Sequence, residues 1–196
     1  MLLWDRPVRA DLEGRDSVWE ALAGAKRAGK ALCIGAAVEA PEDLLLAARR
    51  TPSEALRFPL NVFDQSHVAA LAEAGSRGLG LIAARPLDSG WLTGRYGRHH
   101  VFLDSRRRWS AEDRARRAEA QAEFERLAVG PGATAAQAAL SFVLSFPQVS
   151  CAVPSASAWQ HVIGNVDAPR LRLAPSVVEG LRGLWSARLA GDPLVP

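Results

Sequence analysis

The stretch GLIAARPLDSGWLTGRY, residues 80–96, decides the fold. Leu81, Ile82, Ala83 and Ala84 form an unbroken apolar run, the pattern of a parallel strand covered on both faces. Pro86 cannot donate to a sheet ladder, so the strand ends before it. Gly90 and Gly94 then allow backbone geometries closed to other residues, including close approach to a ligand. In parallel α/β proteins ligands sit in the loops after the carboxyl ends of strands. The two glycines therefore read either as a plain turn or as a phosphate loop.

Outward from this stretch, four more runs read as strands: Leu2–Trp4, Ala31–Ala37, Leu56–Phe63 with Pro59 inside it, and Val149–Val153. Helical patterns lie between them. Asp16 or Ser17 caps a helix carrying Val18, Leu22 and Ala25 on one face, closed by Gly29. Pro41 suits the first turn of a helix over Pro41–Arg50, with Glu42 and Asp43 favourable at its N-terminus. Ser66–Ser76 carries Val68, Leu71 and Ala72 at helical spacing. Ser110 opens a long polar helix to about Leu127, and Thr134-Ala-Ala-Gln137 is a capping box for a helix through Phe146. Two further helices are expected near Trp159–Val166 and Pro175–Leu189. This alternation argues for a parallel sheet with crossover helices.

With 196 residues, 48% hydrophobic and 23% charged, the chain is long enough for one real core, and a single domain over residues 1–196 is expected. A net charge of +3 without a basic face or a recognisable module excludes nucleic acid as the expected partner. Arg106-Arg107-Arg108 either meets a phosphate or an acidic partner or is a solvated charge run, and the solvated reading is preferred. Cys33 and Cys151 lie inside apolar runs and read as reduced core residues. His99 and His100 are adjacent in a polar loop without further ligands, so no metal is expected. His67 and His161 read as surface helix residues. Trp91 and Trp109 either wall a pocket or pack in the core. There is no apolar run of transmembrane length and no signal-peptide pattern in Met1–Ala10, so a cytoplasmic location without membrane contact is expected.

The order of these pieces resembles the carboxyl-terminal part of the aldo/keto reductases. Ala28-Gly-Lys-Ala-Leu-Cys-Ile-Gly35 is similar to the family's helix, GK, strand, IG segment, and Leu60-Asn-Val-Phe-Asp-Gln65 to its YNLLDR-type strand end. Residues 80–96 resemble GVIAYSPLAQGLLTGKY, the most specific of the matches. Ala152-Val-Pro-Ser-Ala-Ser157, with Asn165 downstream, resembles the VIPGAS…EN cofactor segment, and Leu2–Pro7 the fourth-strand LLxHxP segment. The resemblance implies α/β architecture: a partial (β/α)₈ TIM barrel of about five parallel strands, strands four to eight, with crossover helices. It further implies carbonyl reduction linked to NADP(H).

The departures qualify that activity. The resemblance places the family's catalytic Asp, Tyr and Lys on its first three strands, and no position here inherits them. The fourth member, a His, falls on Asp5, so no catalytic residue is carried over. A carboxylate has no proton to give at neutral pH unless strongly desolvated. The Ser-Asn pair that holds the nicotinamide carboxamide falls on Ala37 and Val38, the Gln of the next strand on Arg57, and the Tyr of YNLL on Leu60. The stacking aromatic falls on Ala84, with Arg85 after it. The phosphate and adenine-ribose end is better kept. There the resemblance assigns cofactor binding to Pro86, Leu87, Ser89, Gly90, Leu92, Ser155, Ser157 and Asn165, with His161 in place of a Gln and Gly164 in place of a Glu. NADP(H) binding is expected to be weak or lost, and the lone chain inactive unless complemented. The alternative is a non-catalytic binding or regulatory module on a half-barrel. Five strands cannot close a barrel, so unpaired edges at Leu2–Trp4 and Val149–Val153 call for a homo-oligomer or a complementing chain.

Overall fold

A computed structural model describes residues 1–13 and 17–194. In chain order the elements are β1 (Leu2–Asp5), α1 (Arg9–Glu13), α2 (Ser17–Arg27), β2 (Ile34–Ala37), α3 (Pro41–Arg50), β3 (Ala55–Pro59), α4 (Val68–Ser76) and β4 (Gly80–Ala84). They continue with α5 (Ala111–Ala128), α6 (Ala135–Leu144), β5 (Val149–Val153), α7 (Trp159–Asp167) and α8 (Pro175–Leu184). The five strands form one sheet in the order β1-β2-β3-β4-β5, with β1–β2, β2–β3 and β3–β4 paired in parallel. This is a partial barrel sheet, as expected. Contacts divide the chain into two compact units.

The first unit comprises Met1–Pro59, Ser66–Ala84 and Pro147–Cys151. In its central strands Ala36, Leu56, Leu81 and Ala83 are fully buried, whereas Arg57 at the middle of β3 is exposed. α3 packs against α1 and α4. Gly35 makes the tight β2–β3 approach possible, because a Cβ there would lie 1.8 Å from the Ala55 carbonyl oxygen. Asp5, Ala37, Arg57 and Ile82 stand in one register row across four strands.

The second unit comprises Leu60–Gln65, Arg85–Phe146 and Ala152–Pro196, described to Leu194. α5 packs on α8, and α6 on α7. The capping box at Thr134 forms, and the structure adds a second at Ser110: Thr134 accepts from the Gln137 amide and Ser110 from the Asp113 amide, each reciprocated. Trp91, Trp109, Phe124 and Phe142 are buried among its apolar residues. α7 differs from its neighbours in burying none of its residues. Trp159, Val162, Ile163 and Val166 form its exposed stripe, at helical spacing.

Several expectations change. Asp16 lies outside the described residues. α2 turns on Trp19, whose Nε1 donates to the Asp11 carbonyl and whose ring meets Trp4 edge-on, so Val18 is left exposed. β3 stops at Pro59. Leu60–Phe63 folds into an Asn61-centred turn instead, in which Oδ1 accepts from the amides of Phe63 (2.8 Å) and Asp64 (3.0 Å). His67 is buried rather than on the surface, because its ring lies 5.3 Å from that of Phe58. Neither cysteine is a core residue: Cys33 is half-buried and Cys151 exposed, and both are free thiols. Cys151 is exposed because β5 is an outer strand of the sheet, half-buried or exposed along its whole length. α8 ends at Leu184 and continues as a wider π turn, Trp185–Leu189. Among the described residues no helix is long and apolar enough to cross a membrane.

Candidate functional site

The loop after β4 is the most constrained backbone in the second unit. Arg85, Asp88 and Ser89 all take left-handed conformations, with φ of 51°, 43° and 54°, and Gly90 follows at 89°. Only glycine, and less readily Asp or Asn, enters this region without strain, so the surroundings must hold the chain there. They do so with hydrogen bonds. Asn61 Nδ2 donates to the Arg85 carbonyl at 3.1 Å, and Thr93 Oγ1 donates to the Gly90 carbonyl at 2.6 Å. Arg106 Nη1 donates to the Ser89 carbonyl at 2.9 Å. Glycine suits position 90 on two grounds, since its φ is left-handed and a Cβ would lie 3.3 Å from the Tyr96 ring, which would have to shift.

This loop walls a cavity of about 680 Å³ that lies wholly within the second unit. Leu87, Ser89 and Gly90 contribute from the loop, and Ser155, Ser157, His161 and Asn165 from β5's exit and α7. Seven of the nine residues assigned to cofactor binding thus face one space. Pro86 and Leu92 do not; both are buried and support the loop from within. Gly164, in the family's Glu position, also lines the cavity.

Arg95, Arg106 and Arg108 line the cavity too, and none of its lining residues is Asp or Glu. The arginine run is therefore not a plain solvated face. Arg106 sits over the rings of Tyr96 and Phe102, 4.9 Å and 4.7 Å from their centroids, and donates to the Tyr96 hydroxyl at 2.8 Å. Its Nε also donates to both Asp104 oxygens, at 3.0 Å and 3.1 Å. The side-chain hydrogen bond from Arg106 is the main reason the Asp104 carboxyl is held down to about 2. A sequence reading that treats charge runs as solvated misses Arg106, although the nearby aromatic residues Tyr96 and Phe102 signal a stacking site. Thr134, at the α6 capping box, lines the same cavity. α7 starts from Ala158 with no side-chain cap, leaving first-turn amides for another acceptor.

Trp91 and Trp109 settle as core residues, packed edge-on at 5.9 Å. In the first unit, Ala37 and Val38 are buried, as is Phe58 beside Arg57 in the chain. Arg57 Nη2 lies 3.6 Å from Asp5 Oδ1, and Asp5 also pairs with Arg6. An ion pair spans the row where the resemblance puts the family's His and Gln. His99 and His100 are exposed, and among the described residues no group of three or more His, Cys, Asp or Glu could hold a metal ion.

The model of the aldo/keto reductase family matches residues 3–186. Solved structures share the fold. The thermostable aldo-keto reductase Tm1743, in complex with epalrestat, superposes with a TM-score of 0.67 at 22% identity, over 93% of this chain and 58% of that one. The glycerol dehydrogenase AKR11B4 from Gluconobacter oxydans gives 0.74 at 22% identity, over 98% and 59%. The holo form of aldo-keto reductase AKR11C1 from Bacillus halodurans gives 0.71 at 16% identity, over 93% and 57%. The chain thus spans less than two thirds of the length of these relatives. No curated relative matches the chain in sequence.

Proposed function

Because the chain belongs to the aldo/keto reductase family, we propose that residues 1–196 form the nucleotide-holding part of an NADP(H)-linked carbonyl reductase, corresponding to barrel strands four to eight, as one truncated domain. The observation that carries this reading is the cavity lined by three arginines, serine and threonine hydroxyls and no carboxylate. Phosphate is the ligand such a donor set suits. Arg95, Arg106, Arg108, Ser155 and Ser157 would hold the phosphates, and His161 and Asn165 would meet the adenosine. The cofactor, when bound, supplies a hydride.

The residues at the nicotinamide end do not fit that group in the same way. Ala37, Val38 and Ala84 offer neither side-chain hydrogen bonds nor a stacking ring. Asp5, ion-paired to Arg57, stands where the resemblance puts the family's His, and the resemblance carries over no acid to protonate a carbonyl oxygen. Carbonyl reduction therefore requires a proton donor and its partners from polypeptide other than residues 1–196. Incubating the purified chain with NADPH and a panel of aldehydes tests this: no turnover is expected, whereas steady NADPH oxidation by the chain alone would refute it.

A second reading, a non-catalytic binding module, is favoured by the Asp5–Arg57 pair, which puts an exposed ion pair where the resemblance has uncharged polar chemistry. Either reading leaves outer strands at β1 and β5 and the exposed α7 stripe to be covered. We propose a second copy or a complementing chain in that place.

A further inference from the structure

We infer that Asp88 and Arg117, neither assigned by the family resemblance, are positioning residues for the nucleotide cavity. Arg117 Nε donates to Asp88 Oδ2 at 3.2 Å, with the Arg117 side chain fully buried and that of Asp88 12% exposed. The Arg117 guanidinium also lies 4.2 Å from the centre of the Trp109 ring, which fixes it from the other side. Arg117 stands in the middle of α5, a rigid helix, whereas Asp88 begins the left-handed run Asp88-Ser89-Gly90 whose last two residues line the cavity. Three consecutive residues with positive φ do not hold themselves, so an anchor outside the loop is required. The buried pair ties the first of the three to α5, and Arg106 ties the second through the Ser89 carbonyl. Asp88 faces Arg117 from α5, Asp64 from the turn after β3 and Arg85 from its own loop, and burial is the largest influence on it, raising its carboxyl. A buried ion pair is a poor choice for stability alone, since well-packed apolar residues commonly serve as well. What an apolar pair cannot do is fix the direction of a strained carbonyl and hydroxyl at the cavity wall.

This inference rests on the nucleotide reading of the cavity. The test uses the whole chain with the double substitution D88N and R117M, which removes both charges while keeping at position 88 a residue that tolerates its left-handed φ of 43°, and the single R117K. Melting temperature, titration with NADPH and amide hydrogen exchange are measured on each. The double variant is expected to melt close to the wild type, to bind NADPH about tenfold more weakly, and to exchange faster at Asp88–Leu92 but not in β2 and β3. R117K is expected to fall between the two. Unchanged affinity together with unchanged exchange at Asp88–Leu92 would overturn the inference. So would loss of protection throughout the second unit in both variants, which would make the pair a general stabiliser. If the wild type binds no NADPH, the nucleotide reading fails, and exchange at Asp88–Leu92 still decides whether the pair positions the loop.

Discussion

Gly35 and Arg106 mark two ways in which one residue decides local structure. At Gly35 the reason is space. A methyl group would sit 1.8 Å from the Ala55 carbonyl oxygen, so β2 and β3 must separate to admit it. Gly35→Ala is expected to lower stability by about 1–3 kcal/mol in urea denaturation, the range typical of overpacking; a change within error would mean the strands part without cost. At Arg106 the reason is charge and shape together. Its hold on Asp104 depresses that carboxyl to about 2 from an ordinary 3.8. A carboxyl held lower in the fold than in the unfolded chain adds stability above its unfolded value and loses it as pH falls toward the folded one. The Asp104–Arg106 link is therefore intact at neutral pH and given up between pH 3.8 and about 2. An NMR titration of the Asp104 carboxyl carbon should find its midpoint near about 2, and a midpoint near 3.8 would show that the link does not form in solution.

At the scale of elements, much of the molecule was legible because its signals are local. The capping box at Thr134, proline at the start of α3, and the apolar run before Pro86 depend on neighbouring residues alone, and each element stands where these mark it. The errors share a different origin. The sequence misplaces His67 and Cys151 because burial is set by partners distant in sequence: the Phe58 ring lies beside one, and among the described residues no strand of the sheet lies beyond β5 to cover the other. The sequence pattern runs β3 past Pro59 because the polar role of Asn61 in a turn does not interrupt the apolar residues around it. Trp159, Val162, Ile163 and Val166 form a stripe that reads as core yet is 47–68% exposed. Covering it by another polypeptide predicts more than a monomer in light scattering, reverting toward monomer with Trp159→Glu. A wild type that scatters as a monomer, unaltered by that substitution, would leave this helix uncovered in solution.

For the molecule as a whole, the family is legible from end to end, while the candidate site was legible in part. Loop glycines and serines carry the resemblance and meet at the cavity. Arg106 reads as solvated in the sequence, and Asp88 and Arg117 carry no signal there, because an ion pair or a stacked guanidinium exists only once residues 10–29 positions apart are brought together. The nicotinamide end was read from substitutions, and the Asp5–Arg57 pair adds a physical reason why that end differs. On the function proposed above, this polypeptide grips the adenylate end of the cofactor and not its nicotinamide. Calorimetric titration of the chain with NADPH and with adenosine 2′,5′-bisphosphate tests it most directly. Equal affinity for the two is the predicted result; NADPH binding tighter by an order of magnitude or more, about 1.4 kcal/mol, would contradict it.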